Sequence, residues 1–162
     1  MNPVTRVLTQ VRPQLAAILL LAAVATTFVT PAAPALAAPV TCTCVTYLQK
    51  IGAIPAGIGS AADAGPVLQR NGFRAWNGPA SPPSGAIMVF PRGALGANST
   101  HGHIAQVASA RFDTARRQYA ITVRHAGWSG GTAVYSSVCS NVTQKVFYLS
   151  SLNSSGVAYY VR

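Results

Sequence analysis

The chain has 162 residues, 12 Lys+Arg against 2 Asp+Glu, a net charge of +10, and 50% hydrophobic residues that include 6 Tyr, 5 Phe and 2 Trp. That length suits one domain rather than two, and the apolar and aromatic content excludes disordered and fibrous classes. The basic excess draws such a chain to polyanions, but the cationic residues are scattered and no basic run carries interleaved aromatics, which argues against a nucleic-acid reader.

The first segment reads as a secretory signal peptide. Arg6 and Arg12 precede an apolar or uncharged run from Leu15 to Val29, and Ala35-Leu36-Ala37 supplies the small residues read at cleavage. The run is shorter than the roughly 20 residues of a spanning helix, and Pro31 and Pro34 follow it. Cys42 follows Pro39-Val40-Thr41 rather than the small residues of a lipoprotein signal. Neither a membrane anchor nor a lipid anchor is therefore expected. Removing residues 1–37, with both arginines, leaves a single domain, 38–162, of 125 residues at +8. Its expected location is secreted or periplasmic, among the anionic polymers of a cell envelope, as a monomer.

Cys42, Cys44 and Cys139 allow one internal disulfide and one leftover thiol. A helix from about Cys42 to Ile51, stopped by Gly52, puts Cys44, Tyr47, Leu48 and Ile51 on one core-facing stripe. Cys42 lies about 200° away around the axis, with the more polar Val45, Thr46 and Gln49. This assigns the bridge to Cys42 and Cys139 and leaves Cys44 free near the first helical turn, where the positive end of the dipole favours thiolate.

A second helix is expected after Ser60 as N-cap, ending at Gly72, with Pro66 delaying its start or kinking it. Beyond the Pro-rich stretch Pro79 to Ser84, residues Gly85 to Phe90 read as a buried strand. A Gly-rich loop from Pro91 to Gly102 leads to a second strand, in which His103, Ala105 and Val107 share a face. Between Tyr119 and His125 the alternation groups Ile121, Val123 and His125. Thr114 is equidistant from the two histidines, so a hairpin turning there sets His103 directly opposite His125, with Cβ atoms roughly 5 Å apart. Thr132 to Val138, Lys145 to Leu149 and Val157 to Val161 read as further strands between Ser, Asn and Gly turns. Asn98, Asn141 and Asn153 open N-x-Ser/Thr triplets.

A thiol at a helix start and two histidines extending apolar faces are the parts of a cysteine hydrolase. Cys44 is the nucleophile, His103 takes or holds its proton, and His125 accepts from the other imidazole nitrogen and fixes the tautomer. A zinc site built from Cys44, His103 and His125, with His101 as fourth ligand, is the competing chemistry. The sequence has neither Cys-x-x-Cys nor His-x-x-x-His, so no metal and no cofactor are expected.

Three blocks in order carry a family resemblance: Cys44-Val45-Thr46-Tyr47-Leu48, Pro82-Pro83-Ser84-Gly85-Ala86-Ile87-Met88-Val89-Phe90, and Gly102-His103-Ile104-Ala105-Gln106-Val107. From about Cys44 to Trp128 the chain resembles the CHAP domain, the cysteine, histidine-dependent amidohydrolase/peptidase of the NlpC/P60 superfamily. The resemblance implies a papain-like α+β fold, with N-terminal helices packed on an antiparallel sheet of about five to six strands. It implies cleavage of amide or peptide bonds in peptidoglycan, with Cys44 as nucleophile and His103 as general base. The family commonly has an acidic residue and an asparagine two apart after the histidine strand, where this chain has His125 and Gly127. A histidine in that slot is more like the NlpC/P60 branch.

Trp128, Tyr47 and His101 are the expected substrate contacts. The partners expected are peptidoglycan or its stem peptides, together with an immunity or inhibitor protein; no nucleic-acid partner is expected. The alternative from another class is a non-catalytic basic module that binds anionic envelope polymers through its charge, and acyl transfer is the alternative reaction within the same fold.

Overall fold

The structure is a computed structural model that describes residues 39–162; the segment read as a signal peptide lies outside them. The first element is helix α1, Cys44–Lys50. It starts two residues later than the apolar stripe predicts because Cys42 is claimed elsewhere. The Asn141 side chain accepts from the Cys42 N–H and donates to the Cys42 carbonyl, both at 2.8 Å. A disulfide to Cys139, with Cα atoms 5.6 Å apart, holds the same residue. Thr43 then caps the helix, its hydroxyl accepting from the Thr46 N–H at 3.2 Å. Tyr47 and Leu48 are buried, whereas Ile51, expected on the same stripe, is exposed because the helix ends before it.

A 3-10 turn, Ala61–Asp63, runs into α2, Ala64–Arg70. Pro66 therefore sits in the first turn of a late-starting helix, where its missing N–H costs nothing. Ser60 does not cap this turn; its hydroxyl donates to the His101 carbonyl at 3.2 Å, beside the Ala62 N–H to the same carbonyl at 2.9 Å. These two bonds tie the loop before the histidine strand to the helical layer.

The strands are β1 (Arg74–Ala75), β2 (Ile87–Phe90), β3 (His103–Asp113), β4 (Gln118–Ala126), β5 (Thr132–Ala133), β6 (Val142–Leu149) and β7 (Ala158–Val161). They form one antiparallel sheet in the order β1-β7-β2-β3-β4-β6-β5. The fold is α+β, and its sheet of seven strands exceeds the five to six expected. Two-residue edge strands account for the excess, and the stretch expected to be a strand from Thr132 to Val138 pairs only at its first two residues.

Both faces of the sheet are covered. Leu48, Ile54, Ile58, Leu68 and Phe73 pack on Ile87, Val89, Ile104 and Ala126. Met88, Phe90, Ala105, Val107, Ile121, Val123, Phe147 and Tyr159 form a second core, flanked by Trp76, Leu95 and Trp128. Burying an aliphatic side chain such as Leu48 or Leu68 contributes about 2 kcal/mol.

The β3–β4 hairpin decides where the histidines go. Asp113 pairs with Gln118, so the turn is centred between residues 115 and 116, later than Thr114. The Asp113 carboxylate accepts from the Arg116 N–H at 3.0 Å and the Arg116 guanidinium at 2.8 Å, which fixes that turn. An extra residue, Ala108, then shifts the register: Ser109 pairs with Thr122, but Val107 pairs with Val123 and Gln106 with Arg124. His125 consequently follows opposite Ala105, and direct opposition to His103 does not occur. The bulge restores a common face all the same. Without it His125 would oppose Gln106, whose side chain points to the other side of the sheet from His103.

Candidate active site

Cys44, the free cysteine among the described residues, is partly buried at the first position of α1. The nearby backbone N–H groups of Ile104, Val45 and Cys44 itself favour its thiolate. Burial outweighs them and pushes the thiol above its ordinary pKa. Burial thus opposes the thiolate expected from the helix start, because desolvation of the anion exceeds what the nearby N–H groups of α1 and β3 return. Thr43, Cys44, Val45, Gly59, Ala61 and His101 line a cleft of about 270 Å³ over this sulfur.

His103 opens β3 directly after Gly102. Gly102 has φ +64, and a Cβ there would lie 2.5 Å from the Phe90 carbonyl oxygen and 2.8 Å from the Ala62 Cβ, so only glycine admits this approach. His103 is 4% exposed and His125 is fully buried. Their ring centroids lie 5.0 Å apart and the planes meet at 84°, as diagonal neighbours on one face of the hairpin. Nε2 of His103 and Nδ1 of His125 are both sealed from solvent without a hydrogen-bond partner, while Nε2 of His125 lies 3.2 Å from the Thr143 hydroxyl.

Trp128 covers this pair, with its ring centroid 4.2 Å from that of His103 and 5.4 Å from that of His125. The Lys145 ammonium sits over the Trp128 ring at 4.6 Å. Burial first, then the charge of His125 and of Lys145, lowers the His103 pKa from 6.5 to about 3. Burial and Lys145 lower that of His125 to about 4. Both imidazoles are neutral at pH 7. The chain's two carboxylates are held elsewhere in exposed ion pairs, Asp63 with Arg92 at 2.6 Å and Asp113 with Arg116 at 2.8 Å.

The residues singled out in the sequence therefore fall into two adjoining groups. Cys44 and His101 line the cleft; His103, His125 and Trp128 form a buried aromatic cluster behind it. They adjoin through the start of β3: His101 lines the cleft just before His103, and the Ile104 N–H is near enough to Cys44 to favour its thiolate. Among the described residues no hydrogen bond joins the Cys44 sulfur to an imidazole nitrogen. Tyr47 does not join either group: at 5% exposure it belongs to the core under α1, which leaves it no surface for a ligand. No set of three or more His, Cys, Asp or Glu side chains gathers as a metal cage among the described residues.

Lys145 and Thr143 were not singled out from the sequence. In one dimension Lys145 is one of many scattered cations, and Thr143 is one of many hydroxyls. What reveals them is the β4–β6 register, which pairs His125 with Thr143 and Val123 with Lys145.

No protein-family model and no curated protein sequence matches the chain. Among solved structures it is similar to an N-acetylmuramoyl-L-alanine amidase from Staphylococcus aureus, at 16% sequence identity and a TM-score of 0.49. The likeness covers 74% of this chain and 30% of that one.

Proposed function

We propose that the protein is a secreted cysteine hydrolase that cleaves an amide or peptide bond in peptidoglycan, with Cys44, His103 and His125 as its catalytic set. The observation that carries the reading is a cleft lined by a free thiol and by His101, which lies just before the strand that opens with one of a buried histidine pair. The disulfide suits an oxidising compartment, and the CHAP resemblance directs the chemistry to peptidoglycan.

The electrostatics favour one version of the mechanism. With the thiol pKa raised and both imidazole pKa values lowered, a resting thiolate–imidazolium pair is disfavoured. His103 instead acts as a general base during attack. Because its Nε2 is sealed, Nδ1 is the nitrogen left for the thiol. The Cys44 sulfur attacks the substrate carbonyl as its proton passes to His103. N–H groups at the start of α1 receive the oxyanion, and the imidazolium returns the proton to the departing amine. Water then hydrolyses the thioester, with His103 again as base. Trp128 keeps the pair dry.

A second reading, a binder of anionic envelope polymers, is favoured by the capture of both carboxylates in ion pairs, which leaves the remaining positive field unopposed. One experiment separates the two. Cys44→Ala should abolish release of soluble fragments from purified peptidoglycan, with the circular dichroism spectrum and sedimentation on walls unchanged. Undiminished release by the variant refutes the hydrolase.

A further inference from the structure

We propose that the part of the sheet left bare by the helices is a docking surface for an acidic glycan strand of the cell envelope, held by Arg111 and Arg124 and stacked on Tyr148. The inference rests on the reading of the protein as a binder of anionic envelope polymers and gives that binding a place. It requires no thiol chemistry. The strand register defines the surface, because directly paired residues on neighbouring strands share one face. The helical layer covers this face where it carries Val89, Ile104 and Ala126. Further along the same face, β3, β4 and β6 bring Gln106, Arg124 and Gln144 into one row, and Arg111, Ala120 and Tyr148 into another. Both arginines are exposed, as are Val146 and Tyr148 at 45% and 47%.

The strip is hollowed. A cleft of about 270 Å³ lies against Gln106 and Arg124, and one of about 330 Å³ against Arg111, Thr122, Val146 and Tyr148. They adjoin at the β3 bulge, where Ala108 lines the first and Ser109 the second. The run of β4 from Ala120 to Arg124 sets the two arginine rows about 13 Å apart along the strand, the reach of a short oligosaccharide. Neither cleft shares a lining residue with the one over Cys44, so a strand seated here leaves the thiol free.

Charge identifies the occupant. The chain's two carboxylates, Asp63 and Asp113, are paired with Arg92 and Arg116, so Arg111 and Arg124 have no acidic partner within the chain. Arg116 also lies over the Tyr148 ring at 4.9 Å and steadies it at the rim of the second cleft. The matching ligand is extended, carries anions along its length for the two guanidinium groups, and offers a ring face to Tyr148 and hydroxyls to Thr122 and Gln106. A glycan with acidic sugars meets each requirement. Recessed clefts edged by hydroxyl and amide groups admit a strand, whereas the headgroup plane of a bilayer does not enter them.

The test measures, at fixed ionic strength, binding of the exported protein carrying Cys44→Ala to polygalacturonate, to neutral dextran and to phosphatidylglycerol vesicles. Adding Arg111→Gln with Arg124→Gln should weaken polygalacturonate binding about tenfold, and adding Tyr148→Ala about threefold. The charge-matched pair Arg70→Gln with Arg74→Gln, outside the strip, should change it less than about twofold. All of these positions are exposed, so circular dichroism spectra should be unchanged. Equal losses in the two double variants overturn the proposal while leaving the polymer-binding reading intact, since net charge alone would then bind. Dextran or vesicle binding as tight as that of polygalacturonate overturns the choice of an acidic glycan. No binding of polygalacturonate before the arginines are changed refutes both the strip and the reading on which it rests.

Discussion

The two buried imidazoles should make the folded state acid-sensitive well above the range in which carboxylates titrate. In the unfolded chain a histidine has its ordinary pKa of 6.5, whereas His103 and His125 fold with values of about 3 and about 4. Below pH 6.5 the unfolded state binds protons that the folded state refuses, so stability falls as pH falls. At pH 5 each histidine costs about 2 kcal/mol relative to pH 8, and the pair about 4 kcal/mol, a large share of a typical domain's stability. Asp63 and Asp113, held below the usual carboxylate range by Arg92 and Arg116, add to the loss only below about pH 4. Urea denaturation followed by tryptophan fluorescence at half-unit intervals from pH 8 to pH 5 measures the effect as a falling midpoint. His125→Gln should remove about half of the slope, since His103 remains. A stability constant to within about 1 kcal/mol over that range would refute the claim that both rings are held neutral by burial and by Lys145.

The same electrostatics predict how the thiol reacts. Alkylation of Cys44 by iodoacetamide should be slow at pH 7 and rise about tenfold per pH unit through pH 8, without the acidic plateau of a thiolate–imidazolium pair. A rate flat between pH 5 and pH 8 would contradict the general-base mechanism. The disulfide closes a loop with a sequence separation of 97. Replacing Cys42 and Cys139 together by Ala should therefore cost about 4–5 kcal/mol in urea denaturation, the chain-entropy value for such a loop. A loss below about 1 kcal/mol would mean that the Asn141 clamp alone anchors the segment before α1.

Local pattern carried much of this protein. The alternation of Ile121, Val123 and His125 and of His103, Ala105 and Val107 placed both histidines on buried faces, because side-chain direction in a strand has a period of two wherever the strand goes. The spacing of Tyr47 and Leu48 marked the core face of α1 for the same kind of reason, and Thr43 and Gly52 bracket the helix that forms. Tertiary structure decided the rest. The Ala108 bulge, which returns the histidines to one face, depends on how the sheet bends, and nothing in a run of small residues announces it. Insertion of β7 between β1 and β2, and the arrival of Thr143 and Lys145 beside His125, are pairings between segments far apart in the chain. The partial burial of Cys44, a property of the packed molecule, raises its thiol pKa and outweighs the nearby backbone N–H groups that favour thiolate. Short-range stereochemistry can be read along one dimension; desolvation and register exist only once distant segments have met.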